Sequence, residues 1–244
     1  MSNAYSALGP LYDKFMGDVD YAAWFAHYKA LIGPLPATGA DLCCGTGRFS
    51  RMMAKEGMKI TGIDNAPAML RSAQELARKE GLSIPYALMD ARDFALPRPV
   101  GLILCAVDGL NYLTRLEDLR RCFARCYAFL QPGGTLAFDI SCAQKFISMH
   151  DKPYYDIDED AACLWLSHYQ DEARLMTLEL TLFKKKGELY ARQDEVHVQR
   201  AHSIKELDAL LNEAGFSEIT FYADFTKEPA SETQQRLHVI ARKA

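Results

Sequence analysis

Apolar residues at Tyr21, Trp24, Phe25, Tyr28, Leu31 and Ile32 follow the i, i+3, i+4, i+7 spacing of one helix face, and Gly33-Pro34-Leu35-Pro36 ends that helix. Beyond it, short apolar runs of strand length alternate with helical patterns. The order is ATGADLC, then residues 49–57; MKITGID, then 67–81; SIPYALMD; VGLILCAV, then 116–130; and TLAFDI. Such alternation predicts βαβ units and a parallel sheet. Pro67 suits a first helical turn, with Asp64 and Asn65 as candidate cappers before it and Gly81 at the far end.

After Ile140 the period drops to two. Met176, Leu178, Leu180 and Leu182 alternate with Thr177, Glu179 and Thr181, Lys186-Gly187 makes a turn, and LYARQDEVHVQRA runs on as a second extended segment. With ACLWLSHY before them, these segments predict a small antiparallel sheet inserted into the parallel fold. Helical spacing returns in SIKELDALLNEAGF, with Ser203 and Glu206 spaced as a capping box and Gly215 as its stop. EITFYAD and RLHVIARK supply the last two strands.

The 244 residues are 49% apolar with a formal net charge of -4, enough for a large core and no general attraction to polyphosphate or anionic lipid. No apolar run reaches the length of a membrane span, and MSNAYSALGPLYDKF lacks the marks of a secretory signal, so a cytoplasmic protein without membrane contact is expected. Seven cysteines scattered through apolar segments read as reduced core thiols, and no acidic or histidine cluster has the spacing of a metal site.

The chemistry concentrates in ADLCCGTGRF. A dinucleotide turn needs G-x-G-x-x-G, but Ser50 occupies the third glycine position. The spacing is instead Asp41-x-Cys43-x-Gly45-x-Gly47, and further acids, Asp64 and Asp90, close the next two strands. Three acids along the carboxyl edge of a parallel sheet repel phosphate and suit a ligand with an amino group, ribose hydroxyls and an adenine amine. S-adenosylmethionine offers all three donors and carries no phosphate.

ADLCCGTG resembles the DLGCGTG motif of class I S-adenosylmethionine-dependent methyltransferases, with Cys43 replacing the first glycine. LILCAVDGLNYL and LQPGGTLAFD resemble the family's fourth strand and its turn into the fifth, so the likeness covers residues 40–139. It implies a Rossmann-like, doubly wound α/β fold whose mostly parallel seven-stranded sheet has a small antiparallel β insertion after strand five. The implied division is a helical cover over residues 1–36, a cofactor-binding core over 37–142 and 203–244, and a lid over 143–202. In the cofactor site, Asp41, Cys43, Gly45 and Gly47 would form the methionine-side loop, Asp64 would hold the ribose, and Asp90 and Ala91 would meet the adenine. Asn65, Met69, Arg92 and Ala106 would complete that site, and Tyr12 would lie near the methyl donor. Cys43 fits without strain only at negative φ.

For the acceptor side, His197 is the candidate general base, with Glu195 on the same strand face to orient it. Glu195, His197 and Gln199 point either over the cleft or outward into solvent. Asn111 could orient a nucleophile after the fourth strand, and Tyr12 and Tyr112 could contact the sulfonium, while Asp108-Gly109 could equally be a turn. The expected activity is methyl transfer to O or N of a small molecule, leaving S-adenosylhomocysteine. RNA or protein methylation, a noncatalytic binding module and a dinucleotide-dependent oxidoreductase are the alternatives. The acceptor and the oligomeric state are not read from the sequence.

Overall fold

The protein is described by a computed structural model over residues 5–244; residues 1–4 of the expected cover lie outside the described residues. A 3-10 turn at Gly9–Leu11 and helix α1 (Tyr12–Phe15) precede α2 (Tyr21–Ile32). The core then runs β1 (Thr38–Leu42), α3 (Arg48–Lys55), β2 (Lys59–Asp64), α4 (Pro67–Lys79), β3 (Tyr86–Leu88), β4 (Val100–Cys105), α5 (Leu116–Phe129) and β5 (Leu130–Ser141). Helix α6 (Ala143–Met149) leads into β6 (Tyr154–Ile157), β7 (Ala161–Gln170), β8 (Leu175–Lys186) and β9 (Leu189–Arg200). Helix α7 (Ile204–Ala214), β10 (Phe216–Ala223) and β11 (Arg236–Lys243) close the chain.

The main sheet has seven strands in the order β10-β11-β5-β4-β1-β2-β3, with β11 antiparallel to both of its neighbours and the rest mutually parallel. The strand order reverses between β1 and β4, and the crevice of an open α/β sheet lies at the carboxyl ends of such a pair. One sheet face is buried by α5 and α7 through Leu119, Phe123, Leu207 and Leu211, the other by α2 and α3 through Trp24, Tyr28, Phe49 and Met53. This is the doubly wound arrangement expected from the alternation of runs.

The insertion is an antiparallel sheet ordered β6-β7-β8-β9, with β8 and β9 joined by a two-residue turn at Gly187 and Glu188. Its first strand and α6 were not signalled by periodicity, because both are short. Two smaller differences have local causes. Residue Ala66, not Asp64 or Asn65, caps α4, since the Asp64 carboxylate turns back to accept from the Ala66 N–H. The QPGG segment continues β5, its Gly133 at φ 72° absorbing an irregularity in the pairing with β4. Ser203 and Glu206 do form the reciprocal capping box on α7.

Candidate active site

Where β1 ends, the backbone enters the left-handed region three times, at Cys43 (φ 56°), Gly45 (φ 54°) and Gly47 (φ 72°). Cys43 therefore takes the strained alternative, at a cost of roughly 1–2 kcal/mol. Room for it comes from Gly109, where a Cβ would stand 2.7 Å from that of Cys43. A Cβ on Gly47 would meet the Tyr86 ring at 2.9 Å, whereas Gly45 has open space above it. The turn is thus packed from beneath and accessible from the crevice.

The three acids part company here. Asp41 is 2% exposed and accepts from Ser50 Oγ at 2.5 Å, and burial pushes its carboxyl up to about 7. It supports the turn from below, which corrects the expectation that it lines the crevice. Asp64 does reach the edge, accepting from Gly45 N and Ala66 N at 2.8 Å each; burial raises its carboxyl and those amides oppose the rise. Asp90 lies just past β3 and receives the Arg92 side chain at 2.7 and 2.8 Å, which lowers its carboxyl. Ala91, Ala106 and Met69 are buried, and Asn65 is exposed. A carboxylate has about four lone-pair positions. Asp64 spends at least two on amides, and the remaining acceptor capacity of an anionic carboxylate is of the kind a ribose hydroxyl would use.

Beyond β4, Val107 (φ 61°) and Asp108 (φ 62°) form a lip of two consecutive left-handed residues, unfavourable above all for a β-branched side chain. Asp139 at the end of β5 holds it, accepting from Val107 N at 2.7 Å, Asp108 N at 3.1 Å and the Tyr28 hydroxyl at 2.7 Å. Arg236, which opens β11, bridges Asp139 and Asp108, and Lys145 Nζ stands 3.3 Å from Asp108. Burial works to raise the Asp108 carboxyl, but Arg236 and Lys145 draw it well below the ordinary range. Asn111 is also committed to structure. Its amide donates to Ser141 O at 2.9 Å and Arg200 O at 2.8 Å, and its oxygen accepts from Ser141 N at 3.0 Å. With every polar atom used and the residue fully buried, it has nothing to offer a nucleophile.

On the lid, β9 turns its polar row inward: Glu195, His197 and Gln199 are buried, while Val196 and Val198 face solvent. Glu195 Oε2 is 3.1 Å from His197 Nε2, His197 Nδ1 is 2.9 Å from the Tyr112 hydroxyl, and that hydroxyl is 2.6 Å from the hydroxyl of Tyr5. One tautomer satisfies the series, with Nε2–H donating to Glu195 and Nδ1 accepting from Tyr112. Burial pushes both tyrosine hydroxyls up, so they remain protonated donors at neutral pH. Glu195 also accepts from Tyr5 N at 3.1 Å, Ser6 Oγ at 3.0 Å and Ala7 N at 2.5 Å. Burial favours its neutral form, but His197 and these donors outweigh that and bring it down to about 2.

Between lid and lip lies a cavity of about 200 Å³. Its walls include Tyr5, Leu8, Tyr12 and Met16 from the N-terminal segment, Val107, Asp108 and Tyr112 from the lip, and Phe146 and Met149 from α6. The lid contributes Trp165, Met176 and His197. The N-terminal segment forms one side of it as a strap. Gly9 packs on α4, Asp13 accepts from Thr46 Oγ1 at 2.8 Å, and Lys14 pairs with Asp158 at 2.5 Å. Tyr12 is thereby brought to the same cavity as His197.

Asp139 and Arg236 carry the lip yet were not singled out in the sequence; their only signal was position, one closing a strand and the other opening one. Tyr5 was likewise missed as a member of the hydrogen-bonded series that ends at Glu195. The fold also gathers His150, Asp151 and His168 at the exposed end of α6, within 4.8 Å of one another, where spacing gave no hint of a cluster. His150 Nδ1 accepts from Tyr169 N at 3.0 Å. The neutral ring then carries its proton on Nε2, the nitrogen facing Asp151, and is not free to ligate a metal there.

Comparison with known proteins bears on the whole chain. The family described as "Methyltransferase domain" matches residues 40–134. A "Putative methyltransferase" of Geobacillus sp. (strain WCH70) is 30% identical, covering 98% of this chain and 99% of that protein. "Putative methyltransferase YqeM" of Bacillus subtilis (strain 168) is also 30% identical, covering 98% of this chain and 97% of that one. The fold is shared with a crystal structure of an S-adenosylmethionine-dependent methyltransferase from Clostridium acetobutylicum ATCC 824, at a TM-score of 0.85, 24% identity and 99% coverage of each chain. A likeness that runs from end to end, over a crevice edged by Asp64 and Asp90 and a turn without a third glycine, identifies this chain as a member of the class I S-adenosylmethionine-dependent methyltransferases.

Proposed function

We propose that the protein transfers a methyl group to O or N of a small-molecule acceptor and uses Tyr112, His197 and Glu195 to remove the acceptor's proton. The observation that carries this reading is the unbroken hydrogen-bonded series from Glu195 to Tyr5 beside the cavity between lid and lip. When bound, S-adenosylmethionine supplies a methyl group already activated on a sulfonium. The turn at Cys43, Gly45 and Gly47 would hold its methionine end, Asp64 the ribose hydroxyls, and Asp90 and Ala91 the adenine. Asn65, Met69, Arg92 and Ala106 would border the nucleoside, with Asp41 acting through the turn.

His197 cannot meet an acceptor directly, because both ring nitrogens are engaged. Tyr112 is the group that does. As the acceptor's proton passes to the Tyr112 oxygen, the tyrosine's own proton moves to His197 Nδ1, and Glu195 stabilises the imidazolium that results. Tyr12 gives the sulfonium an aromatic neighbour. The lid and strap exclude water and align the acceptor, the main sources of acceleration for an in-line displacement. A chamber of this size favours a small acceptor over an RNA or a protein.

Tyr112→Phe tests the relay. Its kcat should fall by about 100-fold, the range of general-base effects, with S-adenosylhomocysteine affinity within about twofold of the parent. An unchanged kcat across the pH range would remove the relay from the reaction.

A further inference from the structure

The cavity names a class of acceptor. Its walls are mainly Met16, Phe146, Met149, Trp165, Met176 and Leu178, and most of its polar groups are already paired with one another, Tyr5, Tyr112 and His197 in one series and Lys145 with Asp108 in another. None of Gly45, Gly47, Asp64 or Asp90 lines it, so it is distinct from the nucleoside crevice. A cavity of roughly 150 Å³ takes up benzene. At about 200 Å³ this one has room for a single six-membered ring with small substituents. Methionine sulfurs and aromatic edges favour a flat π-system. A sugar ring would leave most of its hydroxyls unpaired against those walls.

Two polar groups fix how such a ring would lie. The Tyr112 hydroxyl marks where a proton-bearing oxygen belongs. Lys145 Nζ gives one proton to Ser141 Oγ at 2.9 Å and one to Asp108 Oδ2 at 3.3 Å, which leaves its third for the cavity. We infer that the acceptor is a single-ring hydroxyarene bearing an anionic substituent, with its ring hydroxyl at Tyr112 and the anion at Lys145. The inference rests on the small-molecule reading above and deepens it. In the transfer, the arene oxygen forms a bond to the methyl carbon as the sulfonium C–S bond breaks. The sulfur keeps that electron pair, and the hydroxyl proton leaves through Tyr112 to His197.

The test is calorimetric titration of the protein, saturated with S-adenosylhomocysteine, with 3,4-dihydroxybenzoate, catechol and glucosamine. Dihydroxybenzoate should bind, catechol about 10-fold more weakly, and glucosamine not at all. Lys145→Met should abolish the difference between the first two while leaving S-adenosylhomocysteine affinity unchanged. Tyr112→Phe should keep ring binding while losing methyl transfer. If glucosamine binds and neither arene does, or if both arenes bind equally to the parent protein, this inference falls while the small-molecule reading stands. If labelled methyl from the donor enters RNA or protein and no small molecule, both fall.

Discussion

Asp64 has two duties that use the same carboxylate. It braces the turn through Gly45 N and Ala66 N, and on the proposed reading its remaining lone pairs would receive the ribose hydroxyls. Removing it should therefore affect ligand and loop together. We expect Asp64→Ala to weaken S-adenosylhomocysteine binding by about 10- to 100-fold in calorimetry, the loss appropriate to charge-assisted hydrogen bonds. Asp64→Asn, whose single amide oxygen can keep only one of the two backbone contacts, should recover thermal stability in part and affinity less. Equal affinity in the parent and in Asp64→Ala would exclude the carboxylate from the ribose site.

At the scale of elements, one buried amide helps to tie the lid to the core. Asn111 lies just after β4 and binds Ser141 at the end of β5 and Arg200 at the end of β9. Asn111→Ala should leave buried backbone groups unpaired, at about 1–3 kcal/mol each, and lower Tm by several degrees. Unaltered thermal melting would show that this tie contributes nothing to stability.

The same elements show what a sequence makes legible. The runs of β1, β2, β4 and β5 and their helices announced themselves, because a buried parallel strand must be apolar along its length. Alternation in β9 showed that Glu195, His197 and Gln199 share a face. It could not say which, since the opposite face holds Val196 and Val198 and the polar row is the buried one. Asp139 with Arg236, 97 positions apart, and Asn111 with Arg200, 89 apart, are pairings that only the folded topology creates. Asp41 was misplaced for a related reason: strand position fixes a residue's height on the sheet, but its small neighbour Ser50 drew the carboxylate under the turn.

For the whole molecule, buried histidines set the response to acid. Burial, with the nearby charges of His27 and Arg236, holds His238 down at about 3, and burial with Arg200 holds His202 at about 4. Between those values and about 6.5, the unfolded chain binds protons at these rings that the native state refuses, so stability falls as pH falls. Asp41, raised to about 7, acts with the opposite sign, because the native state holds its proton more tightly than the unfolded chain does. Tm measured between pH 7 and 5 should therefore decline less steeply in His238→Phe and more steeply in Asp41→Asn. Parallel curves for all three proteins would refute this assignment.

Glu195 ties the strap to the lid with the same carboxylate that steers the His197 ring. Any exchange of spent cofactor that requires the strap to lift must break those ties and give the imidazole a loosened partner. On the proposed mechanism the arrangement would be an interlock, with the base armed only while the door is shut. A stray nucleophile entering an opened chamber would then meet an idle catalyst, and the costly methyl donor would be spared futile turnover by the same three hydrogen bonds that hold the strap down.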